Sequence, residues 1–229
     1  MKHIAPLILC IVLFSCSSHP SSENTPKNSE AIFVLVENGG TIVSEEQEDA
    51  VNTTLNLLQQ LTKLGRRHET RNSEIYIILT ALPNRIAWSG TPRQLSEQAE
   101  EIKSLLVFHQ SFNDLMIAFE QMEITINLTE PENVRIYYIG STVHIPFQPI
   151  NNKNKIEVKV PRELPSDLAL GNFADRLTTL KIYRVHPDQD QVLQSYLASI
   201  GILKRAKSGD LDFALLGKAQ TRSKIKNLL

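Results

Sequence analysis

The chain has 229 residues, of which 41% are hydrophobic and 21% charged, a composition that suits a folded domain and excludes a largely disordered one. Its formal net charge is −1, and with no long basic run the sequence excludes an electrostatic surface for nucleic acid or for anionic lipid. Both cysteines, Cys10 and Cys16, lie near the N-terminus, so disulfides, thiolate metal sites and a cysteine nucleophile are excluded from the rest of the chain.

Lys2 and His3 precede an apolar run from Ile4 to Phe14, interrupted only by Pro6, and the run ends in Ser15 and Cys16. At ~1.5 Å per residue this segment falls short of a hydrocarbon core ~30 Å thick. A basic start, a short apolar core and a small residue before the cut are instead the parts of a signal peptide. Leu13-Phe14-Ser15-Cys16 resembles the lipobox of bacterial lipoproteins, departing from it in the bulk of Phe14. The resemblance implies a signal peptide over residues 1–15, a lipid on Cys16 as the mature N-terminus, and membrane attachment through that lipid at the cell envelope. Ser17 and Ser18, where inner-membrane retention would place an Asp, direct this expectation to the outer membrane, facing the periplasm. Residues 16–30 carry Pro20 and Pro26 and no large apolar side chain, the composition of a flexible tether with a span of roughly 20 Å.

Residues 31–36, AIFVLV, form a continuous apolar run of the kind found in a strand buried on both faces, and Glu37-Asn38-Gly39-Gly40 turns the chain after it. Ser44 with Gln47 is a capping-box pattern, Glu45 and Glu46 suit the positive helix end, and Val51, Leu55 and Leu58 recur at helical spacing until Gly65. Residues 74–80 predict a second buried strand. Leu82-Pro83-Asn84 leads into Arg85–Trp88 too soon for a crossover helix, so the third strand is expected to be short and antiparallel. Thr91-Pro92-Arg93-Gln94 opens a helix, but continued to Leu128 it would be about 55 Å long. Two helices broken near His109 are expected, the second opened by Ser111 and Asp114.

Residues 134–139 predict the next strand, ended by Gly140 and Ser141. Residues 143–147 and 155–160 flank Asn151-Asn152-Lys153-Asn154 as an inserted β-hairpin. A short helix over residues 166–176, a strand over 180–185, a helix capped by Asp188 and ended by Gly201, a strand over 211–215 and a basic C-terminal helix complete the order. Alternating strands and helices imply an α/β domain over residues 31–229 with a doubly wound, mostly parallel sheet, one antiparallel edge strand and the inserted hairpin.

This order resembles a von Willebrand factor A-type domain, with the segment from Leu180 to Ile202 as the closest local likeness, although Rossmann-like folds share much of it. The resemblance implies a binding edge at the carboxyl ends of the strands, where open α/β sheets generally hold ligands. Members that bind through a divalent ion use Asp-x-Ser-x-Ser after the first strand, a Thr before the third helix and an Asp after the fourth strand. In this chain Glu37 keeps a carboxylate but is one methylene longer, Gly39 has no hydroxyl, and Thr41 offers the last oxygen. Ser111 falls near the Thr position, and Gly140 and Ser141 stand where the Asp is expected. Because Mg²⁺ demands near-ideal octahedral oxygens, the site reads as degenerate, with no metal and no other cofactor expected.

His186-Pro187-Asp188-Gln189-Asp190 gathers an imidazole and two carboxylates, but capping and helix-dipole roles account for each without chemistry. His68, His109 and His144 are scattered, and the sequence has no HExxH, G-x-S-x-G, phosphate-loop or G-x-G-x-x-G pattern. The leading expectation is therefore a non-enzymatic binding or assembly module that engages an envelope protein, as part of a secretion, conjugation or surface apparatus. A periplasmic metal-dependent hydrolase using His186, Asp188 and Asp190 and a purely structural envelope lipoprotein are the alternatives. The expected partner surface is the hairpin, where Ile145, Phe147, Ile150 and Asn152 stand beside the degenerate ion loops.

Overall fold

Six strands, β1 (Glu30–Val36), β2 (Glu74–Leu79), β3 (Trp88–Gly90), β4 (Asn133–Ile139), β5 (Leu177–Val185) and β6 (Asp212–Gly217), make one sheet in the order β3-β2-β1-β4-β5-β6. The structure is a computed structural model that describes residues 30–39, 42, 44–108, 113–144 and 162–229. The expectations for the signal peptide, Cys16, the tether up to residue 29, Thr41, Ser111 and the hairpin with Ile145, Phe147, Ile150 and Asn152 lie outside the described residues; Glu30, expected to end the tether, is instead the buried first residue of β1.

β1 runs between β2 and β4, parallel to both, which is why its sequence is apolar without interruption. Side chains alternate across a strand, and here both faces are covered. Phe33 and Leu35 join one core, Ile32, Val34 and Val36 the other. Over the first face lie α4 (Leu115–Thr129), α5 (Pro187–Ser199) and α6 (Ile202–Ser208), contributing Phe119, Met122, Ile126, Leu193, Leu197 and Ile202. Over the second lie α1 (Ser44–Thr62), α2 (Pro92–Glu97), α3 (Ala99–Leu105) and the chain beyond α7 (Lys218–Ser223), contributing Leu57, Leu61, Leu95, Ile102 and Leu228. At about 1.5–3 kcal/mol for each large side chain fully buried, these two layers hold the fold. The doubly wound α/β arrangement is the expected one. No helix among the described residues is long and apolar enough to cross a membrane.

Several boundaries move. The antiparallel edge strand is Trp88–Gly90, not Arg85–Trp88. It is three residues long because Trp88 pairs with Ile77 in the ladder while its Nε1 donates to Gln98 Oε1 at 2.7 Å, and the chain then enters the Thr91 capping box. The predicted break near His109 lies beyond an earlier one at Gln98, whose non-helical backbone separates α2 from α3. Asp114 caps α4, accepting from Ile117 N at 3.2 Å. The cap of α5 is His186 rather than Asp188, its Nδ1 accepting from Asp188 N at 3.2 Å. Pro187, lacking an N–H, takes the first helical position, and the cap falls on the residue before it. Gly201, at φ +81°, ends α5 and at once starts α6, a seven-residue helix without a sequence cap signal.

Candidate functional site

The loops at the carboxyl ends of β1, β2 and β4 meet over one buried carboxyl group. Backbone bonds carry the ladder past the strand ends: Glu37 N donates to Ile139 O at 2.9 Å, Thr80 N to Val36 O at 3.0 Å and Asp114 N to Thr80 O at 3.2 Å. Glu37 is wholly inaccessible to solvent. Its Oε1 accepts from Ser141 Oγ at 2.8 Å, and its Oε2 accepts from Tyr138 OH at 3.2 Å and from the Ser141 amide. The structure thus brings together three of the residues expected at the degenerate ion site: Ser141 bonds Glu37, and Gly140 packs against the Glu37 side chain while its own N–H donates to Tyr183 O at 2.9 Å.

Gly140 shows why the arrangement needs this sequence. A Cβ there would fall inside the van der Waals shells of Glu37 Oε2 and Cβ and 2.9 Å from Tyr138 Cε2. The Asp expected at this position would collide with the Glu side chain. The extra methylene of Glu37 and the missing side chain of Gly140 are two halves of one packing solution. Gly39 is buried in the turn after β1 and contributes no oxygen.

Burial pushes the Glu37 carboxyl up to about 7, and the donors from Ser141, Tyr138 and Thr142 only partly offset that. Burial, reinforced by the Glu37 charge, also raises the Tyr138 phenol well above its ordinary value. Hydroxyls donate or accept as required, so Ser141 and Tyr138 serve Glu37 in either protonation state.

Asn38 braces the same edge, its Oδ1 accepting from Ala81 N at 3.0 Å and its Nδ2 donating to Val107 O at 2.9 Å. Asn113 Nδ2 donates to Val143 O at 2.6 Å, and His144 Nδ1 accepts from Leu115 N at 3.2 Å. Burial lowers the His144 pKa, against the opposing pull of Asp114. Thr142 holds φ at +63°, unusual for a β-branched residue, and this bend directs the chain from the Glu37 clasp toward His144. Thr80 Oγ1 and Asn113 Oδ1 are buried with no hydrogen-bond partner among the described residues.

A second polar cluster lies at the end of β5. Arg184, 1% exposed and at φ +68°, is the extra residue where β5 loses register with β6. Its guanidinium bonds Asp49 and lies 3.8 Å from Glu46, both on α1. Lys218 reaches Glu46 at 2.6 Å and Arg222 reaches Asp49 at 3.1 Å. This network ties α1 to α7 across the sheet end.

The residues of the hydrolase alternative do not converge. His186 Nδ1 stands 3.9 Å from Asp188 Oδ2 while it caps the helix, and Asp190 bonds Gln194 at 3.0 Å one turn further along α5. Among the described residues no three His, Cys, Asp or Glu side chains group so as to hold a metal ion.

Sequence reasoning passed over Asn38, Thr80, Asn113, Tyr138 and Arg184. Only Arg184 carried a signal, a charge inside the apolar run of β5; the others are ordinary turn or strand residues until the loops meet. Compared with known proteins, the chain matches no family model and no curated protein.

Proposed function

We propose that this protein is a lipid-anchored, non-enzymatic binding or assembly module of the bacterial envelope, whose von Willebrand factor A-type domain engages a protein partner without a divalent ion. The observation that carries the reading is the Glu37 clasp. A carboxylate that holds a bridging ion must present lone pairs outward, whereas both Glu37 oxygens are turned inward onto Ser141 and Tyr138. Opening the site would mean breaking those bonds and exposing a group that burial already favours in its neutral form. The strand order with one antiparallel edge supports the domain type, and the lipobox-like Leu13–Cys16 supports the anchor.

The partner surface in this reading is the same carboxyl edge. Ser141–His144 lead from the clasp directly into the segment that carries Ile145, Phe147, Ile150 and Asn152. Photo-cross-linkers at Phe147 and Asn152, compared with one at exposed Lys63 just after α1, test it in intact cells. Capture of one reproducible envelope protein from the first two positions and not the third is expected; equal or absent capture overturns the interface. The anchor is tested by labelled fatty acid. Label in the wild type and none in Cys16→Ala is expected, and an unlabelled wild type overturns it.

A further inference from the structure

We propose that β6 is a self-pairing edge, through which two copies of this chain join antiparallel about a two-fold axis at Leu215 to form one continuous sheet. The two ends of the sheet are built differently. β3 is three residues long and leads straight into a helix, which leaves little backbone to pair. β6 is six residues long, has a sheet neighbour on one side only among the described residues, and contains no proline and no charge between Asp212 and Gly217. Natural sheets usually blunt such an edge with lysine, proline or a bulge; here the bulge lies on β5, at Arg184.

Phe213 to Gly217 are only half-buried. Beside them a groove of about 900 Å³ opens between α5, α6 and the start of α7, with Leu203, Phe213 and Leu215 along its floor. Gly217 already donates its N–H to Gln220 Oε1 at 3.1 Å and accepts from Thr221 Oγ1 at 2.9 Å, so pairing would rest on the backbone before it; a sheet edge above an apolar groove accepts an extended strand.

The sequence of β6 names a second copy as that strand. In an antiparallel pair, a residue whose backbone groups point outward must face another that does the same, so a two-fold axis falls on a residue and not between two. With the axis on Leu215, Asp212 faces Lys218 of the second copy, Phe213 faces Gly217, and Ala214 faces Leu216, each twice. The aromatic ring covers the position without a side chain, and Leu215 meets itself. Asp212 is 61% exposed and already bonds Lys181 at 2.9 Å, while Lys218 bonds Glu46 at 2.6 Å. Pairing would link these into two rows of alternating charge, Lys181, Asp212, Lys218 and Glu46. Moving the axis to Ala214 would put Asp212 opposite Leu216 and lose every one of these matches.

Light scattering on the full-length chain over a concentration series, with circular dichroism to confirm folding, tests the proposal. Wild type is expected to dimerise; Asp212→Lys and Lys218→Asp should each weaken the dimer about tenfold by setting like charges opposite one another. The double variant should restore it, although both intramolecular ion pairs, to Lys181 and to Glu46, remain replaced by like-charge contacts. Leu215→Cys, a small change at a half-buried position, should give a disulfide between two copies of residue 215 in peptide mass spectrometry, absent from Lys63→Cys. A wild type that stays monomeric at its highest soluble concentration overturns the proposal, including one whose edge captures a different protein. A dimer unaffected by both single reversals, or one without the 215–215 link, overturns it as well.

Discussion

Glu37 and Arg184 are the two ionisable side chains most deeply enclosed at the carboxyl end of the sheet, and they are handled in opposite ways. Arg184 is met by Asp49 and Glu46, whose own outer sides reach Arg222, Lys218 and solvent. Burial lowers its pKa and the Glu46 charge pulls it back up, so it remains a cation. Glu37 is met only by neutral donors, and no ammonium or guanidinium touches it among the described residues. Burial then prevails and the carboxyl gives up its charge near neutrality. A buried charge is kept by an opposite charge; hydrogen bonds from neutral groups place it without fully offsetting its lost hydration.

The largest test of this contrast removes Arg184. Arg184→Ala should cost about 3 kcal/mol in chemical denaturation, because Asp49 and Glu46 lose their buried partner. Arg184→Gly should cost about 1 kcal/mol less than that, since glycine takes φ +68° freely. Equal losses in the two variants would show that the backbone position bears no strain.

Glu37 should reveal itself in the pH dependence. Its carboxyl titrates at about 7 in the folded chain against an ordinary 4.5. Between these values the unfolded state releases a proton that the native state keeps, so stability is greatest below 4.5, falls as pH rises, and levels off above 7. The whole span corresponds to about 3 kcal/mol. His144 acts the other way. Its lowered pKa favours the neutral form in the native state, so its contribution is lost as pH falls below the ordinary imidazole range. Denaturation of wild type and Glu37→Gln across this range should show the falling limb in the first only. A slope that survives in Glu37→Gln would assign it elsewhere.

Gly140→Ala should destabilise by about 2 kcal/mol, the ordinary cost of overpacking, by pushing a methyl group into Glu37 and Tyr138. The same substitution combined with Glu37→Gly should cost less than the two losses added together, since the second removes both Glu37 atoms that the new methyl group would meet. The smallest effect belongs to His186→Ala, at about 1 kcal/mol, the value of a helix cap. A far larger loss, or loss of a bound metal, would restore His186, Asp188 and Asp190 as a chemical centre.

Much of the framework was legible in the chain. The apolar run at residues 31–36 and the mainly apolar ones at 74–79 and 134–139 announce interior parallel strands because both faces of each are largely apolar, and the short Leu82–Asn84 link leaves no room for a crossover helix, which makes the third strand antiparallel. The Thr91 capping box is equally local, satisfied within four residues. Asp188 is a good cap by composition, but the position of Pro187 decides that His186 serves.

What the chain could not disclose is the fate of the loop residues. Glu37 stands 104 positions from Ser141 and Arg184 stands 135 from Asp49, and a carboxyl or guanidinium acquires its character from what surrounds it. In sequence, Glu37 and Gly140 are two departures from an ion-binding pattern, each an apparent loss. In the folded molecule they compensate: the glycine makes room for the longer acid, whose oxygens turn inward onto Ser141 and Tyr138. Local propensity and burial period are written along the chain because they act over a few residues. Solvation and Coulomb energy depend on distances in space, and only the closing of the sheet sets those.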